Sequence, residues 1–391
     1  MDARTTRENI LLTSIIFSIT APYFIVESYR YLFVLAIISA IIFVSGRKTY
    51  AKPNEYSAKF LIATLLFFLF LIFEKAINDY SSTRIRTYAF SILIISFIGT
   101  VHIKRIKMYF AFLLSTFSSF SYVFYSIYIN KLEKHELIIT ASTISTITVS
   151  IVALSFYSLL NNKNSFDKKT ILILVILAGL LSSLLSQVRS GWVSLLITSL
   201  FTLALSRNIV ITYLKSNKLK VSILISMLAL ISYHLINERL GQVFENIEQI
   251  QSGNIITSIG LRLEMWKSVF ILTEGSYFFG LGSQFKETII EYAKAGTIHS
   301  AFLDFHPNHL HNEFIDRFAK QGFFGLSIFL VYISYIINLA KNSKESMPAV
   351  ILILSLSACG LTDRSFELIE VIPFFIILTY YYLANQKTEP Q

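Results

Sequence analysis

Charge is scarce in this chain. Only 15% of its 391 residues are Asp, Glu, Lys or Arg, against about 25% in a soluble globular domain. Cysteine is scarcer still. The one cysteine, Cys359, sits inside an apolar run, so no internal disulfide is possible and a small core residue is the expected role. Neither an HExxH pair nor a cysteine cluster signals a zinc site. No GxxxxGKS/T loop offers to cradle a nucleotide. Internal repeats and low-complexity tracts are missing as well. The first apolar run has a basic start but no small-residue cleavage site after it, so it reads as a retained span rather than a removed signal peptide.

What the chain has in abundance is apolar length. It is 54% hydrophobic and 15% aromatic, with a mean hydropathy of +0.61. Runs of roughly 17 to 22 apolar residues, the length that crosses a hydrocarbon core, recur along nearly the whole sequence. About twelve are read, near 9–26, 29–45, 59–77, 87–102, 106–129, 137–160, 170–187, 191–206, 219–236, 323–340, 348–362 and 371–385. The expected fold is all-α: a polytopic membrane protein of about twelve transmembrane helices. It divides into a membrane region at 1–236, a large loop at 237–322 and a second membrane region at 323–391.

The net charge of +10 invites a nucleic-acid reading, which its placement argues against. With the N-terminus in the cytoplasm, cytoplasmic segments hold 19 of the 34 basic residues, Arg47, Lys48, Lys104, Arg105, Lys168, Lys169 and Lys387 among them. Short outer loops hold eight and the long loop seven. Every cytoplasmic loop is then rich in Lys and Arg, as the positive-inside rule requires. The basic balance reports topology, and the partner it implies is the membrane. The long loop faces outward by the same argument. A long loop on a rigid scaffold is where function concentrates. Within it, RLEMWKSVFILTEG places Leu263, Trp266, Val269 and Phe270 at helical spacing, which predicts an amphipathic helix near the interface. FFGLGSQF reads as a turn.

At the mouth of the next span stands HLHNEFIDRFAKQGFFGL, residues 309–326. Asn308, after Pro307, is placed to cap a helix. Glu313 with Arg317 and Asp316 with Lys320 are spaced i, i+4 with the acid first, which predicts a solvated face opposite Phe314, Ile315 and Phe318. Gly322 and Gly325 predict close helix packing. A lone histidine is more often structural than catalytic, and His306, His309 and His311 also admit a metal reading.

His311-Asn312, nine residues, Gly322, two residues and Gly325 resemble the signature of the O-antigen ligase family, and the surrounding HLHNE strengthens the likeness. The family places an Arg at the outer end of a span before its large loop, as Arg189 in SQVRSGW does. It places a second within that loop, as Arg262 in SIGLRLEMW does, and a late acid after a Gly-rich span, as Asp363 in CGLTD does. Related chains often carry Pro before Gly-x-Gly, where SYFFGLG has none. With the twelve-span layout, the resemblance covers essentially the whole chain.

The resemblance implies an enzyme of the bacterial inner membrane. It would move O-polysaccharide from undecaprenyl diphosphate to a sugar hydroxyl of the lipid A core at the periplasmic face, in lipopolysaccharide biosynthesis. His311 would be the general base that takes the acceptor's proton. Arg189 and Arg262 would neutralise the departing diphosphate, with no metal and no cofactor. His309, Asn312 and Asp363 would line the substrate site. For Arg189 the alternative is positioning or an ion pair, and for Asp363 a plain loop role beside Arg364. Two other readings stand beside the ligase. One is an O-antigen polymerase using the same donor. The other is a secondary transporter, whose ionisable residues belong at the bilayer midplane rather than on one side.

Overall fold

The computed structural model describes residues 3–25, 27–45, 52–78, 81–132, 137, 139–161, 165–186, 188–216, 241, 244–305 and 309–386. Among them it is helical, with no strand. Among the described residues, nine α-helices precede the long loop: α1 (Ala3–Thr20), α2 (Leu32–Ser45), α3 (Glu55–Asn78), α4 (Ser82–Ile98), α5 (Arg105–Val123), α6 (Ala141–Asn161), α7 (Phe166–Leu185), α8 (Arg189–Leu205) and α9 (Arg207–Ser216). Further helices are α10 (Ser258–Leu272), α11 (Phe285–Lys294), α12 (Phe302–Phe305), α13 (Glu313–Ala340), α14 (Met347–Gly360) and α15 (Val371–Ala384). Among the described residues, six segments are long and apolar enough to cross a bilayer: Ser28–Ser45, Glu55–Asn78, Arg105–Ile129, Ala141–Asn161, Phe166–Leu185 and Glu313–Ala340. Three shorter apolar helices are Gly191–Leu205, Met347–Gly360 and Val371–Ala384. The expected span at 219–236 lies outside the described residues. Helices also occupy the expected first and fourth spans, as α1 and α4, although α1 ends at Thr20 and gives way to a 3-10 turn at Ala21–Tyr23. The chain is thus a multi-pass helical membrane protein.

It forms two compact units, Met1–Thr202 with Ser327–Gln391, and Leu203–Leu326. In the first, α6 is central. Of its apolar window 83% is buried, against 28% for α3 and for α7. The outer helices turn Ile62, Leu65, Leu66, Leu69, Leu174 and Leu177 to the exterior, the composition of a surface solvated by lipid. Inside, the helices approach through small and hydroxylated residues. Ser119 lies 2.9 Å from Thr148 and 2.6 Å from Ser182, and Ser150 2.8 Å from Ser355, tying α5 to α6 and α7, and α6 to α14. At Gly179 a Cβ would stand 2.3 Å from the Val152 side chain, so only glycine lets α7 lie this close to α6.

Segments that the charge pattern assigns to one side gather at one end of this unit. Asn54 Oδ1 caps α3 by accepting from the Ser57 N–H, while its Nδ2 donates to the carbonyls of Leu383, Ala384 and Gln386 at the end of α15. The Thr100 hydroxyl donates to the Lys52 carbonyl, and Tyr381 to that of Ile103. At the opposite end Arg84 bonds both the carbonyl and the carboxylate of Glu367, and Arg364 lies 3.6 Å from the same carboxylate.

The second unit has a core of its own. Met265, Val269 and Leu272 of α10 meet Phe285, Ile289 and Ala293 of α11, together with Ile298, Phe302, Leu310, Phe318 and Ala319. The amphipathic helix predicted in RLEMWKSVFILTEG is α10, but its inner face differs from the one its spacing suggested. Leu263 and Phe270 are exposed, and Met265 and Leu272 are buried in their place. A helix with apolar residues over most of its circumference offers more than one inward stripe, and the packing partner selects one.

Candidate functional site

The first helical turn of α13 is capped by Asn312. Its Oδ1 accepts from the N–H groups of Phe314 (3.0 Å) and Ile315 (3.1 Å), and its carbonyl from Asp316 N–H (2.8 Å). The helix therefore begins four residues later than a cap at Asn308 implied. Asn308, Pro307 and His306 lie outside the described residues. Both residues can cap a helix in principle, but only Asn312 is followed directly by the acids that suit an N-terminal dipole, Glu313 and Asp316.

Those acids are not on a solvated face. Glu313, Asp316 and Arg317 are all buried. Arg317 donates from Nε and Nη2 to one oxygen of Glu313, each at 2.7 Å, and from Nη1 to Gln321 at 3.4 Å. The i, i+4 spacing is as read, but the side chains fold inward. Desolvation raises the stakes of such a pair, since breaking a buried ion pair typically costs several times what a surface pair contributes.

Asp316 reaches back to the histidine segment. Its Oδ1 accepts from the Leu310 N–H at 3.0 Å, and its Oδ2 binds Lys320 Nζ at 2.9 Å. Lys320 in turn sits 4.9 Å from the centre of the Phe285 ring. The Leu310 carbonyl accepts from Trp266 Nε1 at 2.7 Å. Both polar groups of residue 310 are thus held by side chains, and its own side chain is fully buried in the core. The histidines on either side of it come together, their ring centres 4.2 Å apart at an angle of 56°. His311 adopts φ +48°, the left-handed region that a non-glycine residue enters at a cost of roughly 1–2 kcal/mol.

The glycines downstream have a different use from the one expected. Gly322 takes φ +66° and ψ −168° and breaks α13 in two. Its neighbour is not another helix but the turn at 276–282. Leu281 N–H donates to the Ala319 carbonyl (2.9 Å), while Phe323 and Phe324 donate to the carbonyls of Tyr277 (2.9 Å) and Phe278 (3.0 Å). A Cβ on Gly322 would stand 2.2 Å from the Phe278 oxygen, and one on Gly280 2.5 Å from the Gly322 nitrogen. Gly325 leaves room for the Gln321 side chain, which would meet an added Cβ at 2.3 Å. The SYFFGLG turn forms without the proline related chains often carry, closed by a 2.7 Å bond from Gly280 N–H to the Ser276 carbonyl.

Arg262 lies on α10 one turn before Trp266, on the helix face that Trp266 presents to Leu310. His309, His311, Asn312 and Arg262 all belong to the second unit. Arg189 and Asp363 belong to the first. Arg189 is the first residue of α8, and its side chain lies outside the described residues. Asp363 follows α14, and its Oδ1 accepts from the Arg364 N–H at 2.8 Å. Asp316 and Trp266, which fix residue 310, escaped the sequence reading. Asp316 looked like half of a surface pair and Trp266 like part of an apolar stripe. The available signal was position: an acid four residues after the capping asparagine, and one of only two tryptophans in the chain.

Residues 172–330 match a family described as O-antigen ligase. Over that segment the chain is similar to the O-antigen ligase family. The matched segment contains Arg189, Arg262, His309, His311, Asn312, Gly322 and Gly325, and ends before Asp363. Over 177 residues the chain is also 26% identical to an uncharacterized protein of Haemophilus influenzae, covering 43% of this chain and 42% of that protein. The chain thus spans less than half of that relative's length.

Proposed function

We propose that this protein is an O-antigen ligase. It transfers polysaccharide from undecaprenyl diphosphate to a sugar hydroxyl of the lipid A core, with the second unit on the periplasmic side of the inner membrane. The observation that carries the reading is the family match over the segment whose histidine pair is held at the mouth of a membrane-spanning helix. Displacement at the anomeric carbon needs a base for a hydroxyl proton whose pKa lies far above neutrality, and imidazole suits that task. His311 takes this role, with His309 beside it. The departing diphosphate gains negative charge, which guanidinium groups neutralise bidentately without a cation. Arg189 and Arg262 take that role, while Asn312 and Asp363 complete the lining of the site. The family match supports the class of chemistry, and the choice between ligase and polymerase rests on the HLHNE segment.

The test is transfer in vitro from purified lipid-linked polymer to purified lipid A core, with and without EDTA. Transfer that survives chelation supports the proposal. Growth of the lipid-linked polymer with the core left bare would make the protein a polymerase. Activity lost to EDTA and restored by magnesium would assign the electrophilic role to a metal rather than to the arginines. His311→Ala should lower transfer by about 10²- to 10⁴-fold, with His309→Ala milder. Arg189→Lys and Arg262→Lys keep charge but lose the planar fork, and should be strongly impaired. Reporter fusions at Asn254 and Lys387 should report opposite compartments.

A further inference from the structure

Five large apolar side chains of the second unit stand out of the fold together. Phe270, Tyr277, Phe278, Phe279 and Phe323 are 65%, 41%, 58%, 61% and 55% exposed, far more than folding alone explains for a contiguous set. They are one surface. Phe278 packs on Phe279 with ring centres 4.8 Å apart, and both pack on Phe324 at 5.9 and 5.8 Å. Phe323, Phe270 and Tyr277 surround Phe318 at 4.8, 6.0 and 6.4 Å. The segment SYFFGLG that forms the tip carries no charge.

The height of this tip is set by the backbone. Phe323 and Phe324, whose N–H groups bond the carbonyls of Tyr277 and Phe278, open the apolar stretch of α13 that runs to Ala340. A span places its first apolar residues at the boundary between headgroups and hydrocarbon. A turn bonded to those residues lies at the same depth, and cannot rise from it without breaking the bonds from Phe323 and Phe324. Aromatic side chains concentrate at that boundary in membrane proteins.

The geometry points to a membrane-interface wedge: the 277–279 tip, with Phe270 and Phe323, inserts into the headgroup and upper acyl region of the bilayer and anchors the second unit there. The occupant is the lipid surface. The wedge also gives Gly322 a purpose, since a continuous helix would leave no unbonded N–H groups with which to hold the turn at that level.

The test reads depth rather than activity, so it stands apart from the proposed transfer reaction. In a Cys359→Ala background, Phe278→Cys and Phe279→Cys are each labelled with an environment-sensitive dye and reconstituted in phosphatidylglycerol–phosphatidylethanolamine nanodiscs. A Lys294→Cys label on the exposed end of α11 serves as the aqueous control. Lipids carrying a nitroxide near the headgroup should quench the two tip labels at least about twofold more than the control, and aqueous iodide should quench them less. Iodide quenching equal to the control would overturn the wedge by placing the tip in water. Resistance to both quenchers would overturn it too, because a protein surface, such as a second copy of the chain, would then cover the tip.

Discussion

Replacing Gly322 with alanine should release the turn that carries the aromatic tip. Two penalties add. The backbone angles of φ +66° and ψ −168° lie in a region that is essentially glycine's alone, where another residue costs on the order of 1–3 kcal/mol. The new Cβ would also stand 2.2 Å from the Phe278 oxygen and 2.6 Å from the Gly280 nitrogen, both backbone atoms that cannot rotate away. Relieving that overlap means separating the strands of main chain joined by the Leu281–Ala319, Phe323–Tyr277 and Phe324–Phe278 hydrogen bonds, each worth roughly 1 kcal/mol net. The sum is about 4–6 kcal/mol, or at least several hundredfold in the opening equilibrium at about 1.4 kcal/mol per decade. Gly296→Ala is the matched control. That residue has φ +71° but nothing within 4 Å of its Cβ position, so strain alone applies, about 1–2 kcal/mol. Hydrogen exchange in nanodiscs, followed in peptides covering 276–282 and 320–326, measures the difference. Equal protection in the two variants, or unchanged protection of Leu281, Phe323 and Phe324 in Gly322→Ala, would refute the reasoning.

Three further outcomes are expected. Glu313→Gln removes a carboxylate that Arg317 grips in a buried ion pair and should cost about 3 kcal/mol in thermal unfolding, while replacing both residues by methionine should recover part of the loss; a single variant as stable as the wild type would show that the pair is dispensable. Asp316→Ala frees the Leu310 N–H and should lower transfer about tenfold or more by loosening His311, with Asp316→Asn partly restoring it because the Oδ1 acceptor remains; no difference between the two would contradict a role through that bond. Glu370, at the start of α15, has its carboxyl pKa raised by burial, offset in part by a backbone hydrogen bond. A carboxyl with a higher pKa folded than unfolded stabilises the native state most below its unfolded value, and that contribution is lost as pH rises through the folded one. The unfolding temperature of the wild type relative to Glu370→Gln should therefore fall as pH rises above the ordinary carboxylate range, and a constant difference would refute the assignment.

The helices were legible because apolar length has few other uses: wherever the described residues include an expected span, a helix is there. The histidine segment was legible as a motif, and its placement before a helix start followed from the chain's polarity at that point. What escaped was direction. An i, i+4 pair such as Glu313–Arg317 has the same spacing whether it faces water or protein, and only the packing of the second unit decides. The break at Gly322 was hidden for a related reason. The residues around it, Phe323, Phe324 and Leu326, continue an apolar pattern without interruption, and a glycine in such a pattern is usually a site of close packing. The partner that made it a break lies some forty residues upstream, and main-chain bonds leave no trace in side-chain chemistry. The role of Asp316 was likewise invisible, because its target is the backbone N–H of Leu310.

Asn54 serves two helices that the ribosome makes far apart in time. Its carboxamide starts α3 with one end and closes α15 with the other, reaching partners 329 to 332 positions away. During synthesis α3 is in place long before the carbonyls of Leu383, Ala384 and Gln386 exist, so the donor side of Asn54 must wait through the insertion of every helix between. Folding of the first unit therefore ends with a closing step, in which the arrival of α15 completes a structure begun at residue 54. A chain stopped before Leu383 loses acceptors for a side chain more than three hundred residues upstream. The α2–α3 junction, rather than the cut end alone, is where new protease sensitivity should appear.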